Sequence, residues 1–271
     1  MRNLLLAISI FFFMATTQAQ QISGIFRHSD ADFEYLEQLD WASFLSQGKV
    51  LNNKGFRLIN LETTGVGNDR RYWGIYTESS LKDTIIKTES WPDFVKAKRS
   101  MAAAGYLLSH VQAYSLSAID AHFIGIWYKD ETETPHKIWK LDSPESIRQR
   151  TEDMAKKQFY LQEVEVFLDP SGAATYLGLY HYSSLPVRNY IYITDTEENF
   201  KEDYHNRFQS KIRLVDYEQF NAKEGAYFLG VYQPGTYDHQ FVNNFSRHDF
   251  NGKWELFEKD DLKLVSWEVR D

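Results

Sequence analysis

The residues with the most capacity for chemistry are polar side chains that recur at fixed distances from a repeated motif. Asn60, His110, Glu163 and Asp216 lie five residues beyond predicted helix ends at Gly55, Gly105, Gln158 and Lys211. Glu62, Gln112, Glu165 and Glu218 lie seven beyond the same positions. Alternating polar residues read first as the wet face of a sheet. Stacked in register they would instead form a continuous acidic band, and clustered carboxylates concentrate positive charge. Such a band suits a basic peptide, an amine-bearing polymer or a hydrated cation. With Gly252 as the fifth helix end, Glu258 is expected to extend the band.

Signals for catalysis, metals and cofactors are weak. Ser79 and Lys82 have the Ser-x-x-Lys spacing of serine hydrolases, but that chemistry needs both side chains on one helix face, and this tetrapeptide joins two predicted strands. The chain has no Gly-x-Ser-x-Gly elbow, phosphate-binding glycine loop or calcium-loop pattern. None of the eight histidines forms a compact metal pair. His110 and His122 fall in one predicted hairpin and are expected to face each other, with Glu163 as a third ligand if a metal binds. Hydrogen-bonded histidines are the plainer reading. No catalytic residue, metal site or cofactor is therefore assigned.

The elements that must position these columns are copies of one unit. Tyr72-Trp73-Gly74-Ile75-Tyr76 recurs as Phe123 to Trp127, Tyr176 to Tyr180 and Phe228 to Tyr232, with an early version at Ile22 to Phe26. The central glycines, Gly24, Gly74, Gly125, Gly178 and Gly230, are 50, 51, 53 and 52 residues apart, and such a period signals a repeat architecture. Each unit reads as a helix, a strand, a turn-rich loop and a returning aromatic-Gly-aromatic strand, usually followed by a short third strand. Helix starts are marked by Ser90-Trp91-Pro92-Asp93 and Asp142-Ser143-Pro144-Glu145. Phe44, Phe94, Ile147, Phe200 and Phe241 stand eleven residues before the helix ends, about three turns, and form a core column. Leu58, Leu108, Leu161 and Leu214 follow each end by three residues, and Leu256 is read as their counterpart.

The ends of the array differ from the middle. Ile22 to Arg27 is a returning strand without its helix, whereas Asp238 to Asp271 reads as a helix and a hairpin with a shortened turn. The expected fold is α+β, with five tandem helix-plus-hairpin repeats forming an arc or a closed propeller-like ring. The orphan strand could pair with the last hairpin and remove exposed sheet edges. The units are 20–33 for the orphan strand, then 34–80, 81–131, 132–184, 185–235 and 236–271, all within one repeat domain.

The motifs Gly55-Phe56-Arg57-Leu58 with Trp73-Gly74-Ile75-Tyr76, and Gly105-Tyr106-Leu107-Leu108 with Ile124-Gly125-Ile126-Trp127, resemble the bacterial tandem-repeat domain family. The third and fourth copies depart from the pattern at Gln158 and Lys211. Similar repeats form the non-catalytic N-terminal region of fungal polyglycine hydrolases. The resemblance implies a repeat module whose chemistry, in those relatives, belongs to a separate domain.

Arg2, the apolar run Leu4 to Met14 and Thr17-Gln18-Ala19 have the three regions of a secretory signal peptide. The run is too short to span a bilayer. Cleavage after Ala19 would leave residues 20–271 exported, periplasmic or secreted, with no membrane insertion. The chain has no cysteine, hence no disulfide or thiol chemistry. Its net charge of −8 opposes nucleic-acid binding. The expected function is a non-catalytic module binding a protein or polymeric envelope ligand, a basic one among the candidates, through the acidic band and hairpin loops. A small envelope-polymer hydrolase with a polar site between repeats is the alternative, and a structural subunit of an envelope assembly is a third reading.

Overall fold

The computed structural model describes residues 20–115, 121–129, 132, 134–169 and 171–270. The expected signal segment 1–19, Pro170 of the third turn and Asp271 lie outside the described residues. The order of elements is β1 (Gln21–His28), β2 (Phe33–Leu39), α1 (Trp41–Asn53), β3 (Phe56–Thr64), β4 (Arg71–Glu78), β5 (Asp83–Thr88), α2 (Trp91–Ala103), β6 (Tyr106–Ser115), β7 (Ala121–Lys129), β8 (His136–Leu141), α3 (Pro144–Ala155), β9 (Phe159–Leu168), β10 (Ala174–Tyr182), β11 (Tyr190–Thr194), α4 (Glu197–Gln209), β12 (Ile212–Ala222), β13 (Gly225–Pro234), β14 (His239–Ser246), α5 (Arg247–Lys259) and β15 (Leu262–Arg270).

These strands make five antiparallel sheets of three strands each: β2-β4-β3, β5-β7-β6, β8-β10-β9, β11-β13-β12 and β14-β1-β15. The aromatic-Gly-aromatic strand is central in every sheet, which accounts for its two apolar faces. The short strand before each helix pairs with the returning strand that follows that helix, so it belongs to the later unit. Packing between sheets runs through the strands that follow the helices. β3 lies beside β6 and β15, β9 lies beside β6 and β12, and β12 also lies beside β15.

The five α-helices among the described residues each start on a side-chain cap, with Asp40, Ser90, Ser143, Thr196 and Ser246 each accepting the N–H three residues on. Each cap satisfies a donor that the first helical turn leaves without a partner. The core column is Phe44, Phe94, Ile147, Phe200 and Phe250, all essentially inaccessible to solvent. The glycine of the central strand makes room for it. A Cβ on Gly74 would lie 2.9 Å from both the Phe44 ring and Leu58, and one on Gly24 would meet Leu264 and Phe250 at 2.8 and 2.9 Å.

The last unit departs from the sequence expectation by one strand. Phe241 is not helical: it lies in β14 and pairs with Ile25. Gly252 sits within α5, Leu256 is exposed on that helix, and Glu258 is exposed there as well. The true counterparts are Phe250, Asp261 and Leu264. Among the described residues no hairpin follows α5. β15 stands alone after the helix, and β1 takes the place of the returning strand, pairing with β14 on one side and β15 on the other.

Helix ends adopt a left-handed backbone conformation in every unit: φ is +91° at Gly55 and +75° at Gly105, but also +61° at Gln158, +60° at Lys211 and +56° at Asp261. That region costs a non-glycine residue about 1–2 kcal/mol, partly offset because glycine also enlarges the unfolded ensemble. Lys211→Gly is therefore expected to stabilise the fold by about 0.5–1 kcal/mol. The check is the urea midpoint at unchanged slope, and a lower midpoint would show that the lysine side chain outweighs the backbone strain.

Candidate functional site

The two polar columns project from strands that each contain one bulge. Pairing skips Ile59 between Leu58 and Asn60, Ser109 between Leu108 and His110, and Val215 between Leu214 and Asp216. The same skip omits Gln162 in β9 and Val265 in β15. A one-residue slip sends all later side chains to the opposite face. The leucine before the bulge therefore packs under the helix with Phe44 or its equivalents, as do Leu61, Val111 and their counterparts. The polar residues at the alternate positions turn away from the helix, towards the neighbouring units.

There they are buried, so neither the wet sheet face nor an open band describes them. Asn60, Glu62, His110, Gln112, Glu163, Glu165, Asp216 and Glu218 are all less than a tenth exposed. Their solvent is replaced by the adjacent strand. The His110 imidazole lies 2.9 Å from the Leu61 carbonyl, Glu163 accepts the Val111 N–H at 3.2 Å, and Asp216 accepts the Val164 N–H at 2.7 Å. Each side chain thus bonds the backbone of the preceding unit at the same register. Glu165 repeats the pattern one step along the strand, accepting the Ala113 N–H at 2.9 Å and the Gln112 amide at 2.8 Å.

The expected pairing of His110 with His122 does not occur. His110 faces Ile126 across the hairpin, and His122 faces Tyr114. The partner of His110 is Glu163, with Nδ1 2.9 Å from its carboxylate. Burial opposes the charged imidazole, but the Glu163 carboxylate outweighs it and raises the His110 pKa. Among the described residues no group of three or more His, Cys, Asp or Glu side chains is arranged to hold a metal ion.

The second column lines a cavity of about 310 Å³. Glu62, Gln112, Glu165, Glu218 and Glu268 contribute to its wall, one residue from each unit. Glu268 is the member that the sequence reading missed. It stands seven residues beyond Asp261 as Glu62 stands seven beyond Gly55, and only the misplaced helix end hid it. Gly65, Val66 and Arg70 of the β3–β4 connection also line the cavity, so it meets the surface beside that hairpin loop. Two arginines stand at the rim and are tethered elsewhere. Arg70 donates to the Ser115 carbonyl at 2.9 Å, and Arg270 donates to Gln21 and Asn244 at 2.9 and 2.7 Å.

Burial governs the ionisation of this cluster. It pushes Glu62, Glu165 and Glu218 well above the usual carboxylate range. Repulsion from Glu268 adds to the effect at Glu62 and Glu218, whereas the Ala113 N–H opposes it at Glu165. Burial raises Glu268 to about 8 against the attraction of Arg270. Burial and the Glu163 carboxylate raise Asp216 to about 7. Gln112 is 5% exposed, and its Oε1 has no hydrogen-bond partner. The cavity therefore offers carboxyl groups that ionise when a cation compensates them, together with an amide oxygen able to accept a further donor.

Residues 32–79 and 91–130 match the model of the polyglycine hydrolase-like structural repeat. The first stretch spans β2 to β4 and the second α2 to β7, so the match falls on two units of this chain. No curated protein matches the chain. No helix among the described residues is long and apolar enough to cross a membrane.

Proposed function

We propose that the whole chain is a non-catalytic repeat module closed into a five-unit propeller-like ring, and that it binds a basic group of a macromolecular partner in the cavity at the ring's centre. Support for closure comes from β1 lying between β14 and β15 and from β15 lying beside β3. The observation that carries the binding reading is the convergence of Glu62, Gln112, Glu165, Glu218 and Glu268 on one cavity. The recess admits one protruding ammonium or guanidinium group rather than a flat basic surface. The β3–β4 loop at its mouth belongs to the part of the unit that varies between copies, the usual place for recognition in repeat arrays. In this reading the chain acts after export, as the N-terminal segment suggests.

The hydrolase reading loses ground on geometry. His110 is engaged at Nδ1 by Glu163 and at Nε2 by Leu61, and Glu163 and Asp216 are committed to backbone N–H groups. These three side chains join adjacent units. Charge reversal at Glu163 or Glu165 would break those bonds and unfold the protein, so neither is a clean probe of binding.

Glu62→Gln with Glu218→Gln keeps the shape of the cavity wall and removes two carboxyls that would ionise on binding a cation. A tri-lysine peptide is the probe, with its Nε-acetylated form as control. The expected result by calorimetry is binding of tri-lysine with proton release, because the cation drives buried carboxyls to ionise. The double variant is expected to bind at least about tenfold more weakly while keeping its melting transition. Equal binding of the acetylated peptide, or no loss in the folded double variant, would refute the reading.

A further inference from the structure

A second cleft lies on the outside of the molecule, between the third and fourth units, and its chemistry is the reverse of the central cavity. It has a volume of about 500 Å³ and lies among α3, α4 and the approach to β11. Arg148, Lys156, Arg188 and Arg207 line it, and Glu152 is the one carboxylate in its wall. This concentration of four cations belongs to a chain whose net charge is −8.

The repeat makes the cleft legible as a departure from the scaffold. Seven residues beyond the core column, the other helices carry Leu51, Met101, Met154 and Phe257, whereas α4 carries Arg207. An apolar scaffold position has thus become a guanidinium, a change that lowers the apolar burial of the helix and needs a compensating role. The group is held in place. Asp203 accepts its Nε at 2.6 Å, and it stacks over Tyr232 at 4.8 Å and near Tyr190 at 5.5 Å. Arg188 approaches the same Tyr190 ring, 4.8 Å from its centroid. Two guanidinium groups are therefore positioned about one tyrosine, and the facing helix adds Arg148 and Lys156, which pair with Glu145 at 3.8 Å and Asp153 at 3.2 Å. The corresponding residues are Leu45 and Asn53 in α1 and Val95 and Ala103 in α2, so this charge pattern is absent from the joint between the first two units.

We propose that this cleft is a binding site for an oxyanion-bearing ligand of monosaccharide size, held by the Arg188 and Arg207 guanidiniums and packed on the Tyr190 ring. Planar guanidinium forks match carboxylate and phosphate oxygens in pairs. Tyr190 and Ile191 give the cleft an apolar floor, and the Asn189 amide stands beside them. A sugar acid and a phosphate group share the required chemistry. The site is independent of the cationic group proposed for the central cavity.

Arg207→Met restores the residue type of the other helices and is expected to fold, and Arg188→Ala changes an exposed side chain. Glucuronate and inorganic phosphate are the probes, followed by saturation transfer from protein to sugar and by phosphorus line broadening. The expected result is binding of at least one probe to the unaltered protein, with affinity reduced about tenfold or more in each variant. Glucuronate alone would identify a sugar acid, and phosphate alone a phosphoryl group. Failure of both probes, or equal binding by Arg207→Met, would overturn the assignment.

Discussion

Deleting residues 20–28 is expected to abolish the cooperative melting transition, and adding the same segment back as a peptide is expected to restore it. β1 is the central strand of its sheet, so its loss leaves both β14 and β15 without a partner. It also removes Ile22, Ile25 and Phe26, each no more than 2% exposed. Burial of three such side chains contributes about 5–9 kcal/mol, comparable with the whole stability of a typical domain. The damage would not stay in the last unit. β15 also packs beside β3 and β12, and it carries Glu268 into the wall of the carboxyl-lined cavity. The peptide can return by strand addition because its site is a gap flanked by two strands with complementary ladders. A truncated protein that melts cooperatively at the original temperature would show that the array is stable open, and the proposal of a closed ring would fail.

The repeat, the helices and the core column were legible because they depend on local pattern. Period, cap residues and an apolar residue at constant distance from a helix end are properties of one stretch of chain. The last unit was misread because its central strand comes from the other end of the sequence. Extending the local pattern supplied a hairpin that does not exist, moved the helix start back from Arg247, and exchanged Glu258 for Glu268. In the first four units the polar columns stand at equivalent strand positions, but their surroundings were not visible in the sequence. A wet strand and a strand buried against its neighbours can show the same alternation. What buries Glu163 is the backbone of β6, roughly fifty residues earlier. The bulge between Leu58 and Asn60 was equally hidden, because nothing in the run Leu58-Ile59-Asn60 announces that Ile59 drops out of the pairing.

The cluster of buried carboxyls predicts an uncommon pH profile, in which the protein loses stability as the pH rises from about 5.5 to about 8.5. Glu268 has its pKa raised from 4.5 to about 8 and Asp216 from 3.8 to about 7. A group whose folded pKa is raised binds protons more tightly when folded, so its contribution is complete below the unfolded pKa and is lost through the folded one. His110 acts in the same direction, since the Glu163 carboxylate raises its pKa too. Glu268→Gln removes one titration while preserving shape. It is expected to raise stability at pH 8.5 by about 3–5 kcal/mol, since each tenfold change in proton affinity corresponds to about 1.4 kcal/mol. In a chain of this length that is a rise of about 10 °C in melting temperature. At pH 5.5 the folded carboxyl is protonated but the unfolded one is already ionised, so the variant should still lead by about 1.4 kcal/mol, and the two proteins should coincide only below the unfolded pKa of 4.5. Glu258→Gln, on the exposed face of α5, serves as the control and should leave the profile unchanged. A melting temperature that rises between pH 5.5 and 8.5, or a Glu268→Gln profile parallel to that of the unaltered protein, would mean that the cavity carboxyls are hydrated and ionised. A hydrated cavity would also bind a cation without releasing protons, so the melting series and the tri-lysine calorimetry test the same physical premise by separate routes.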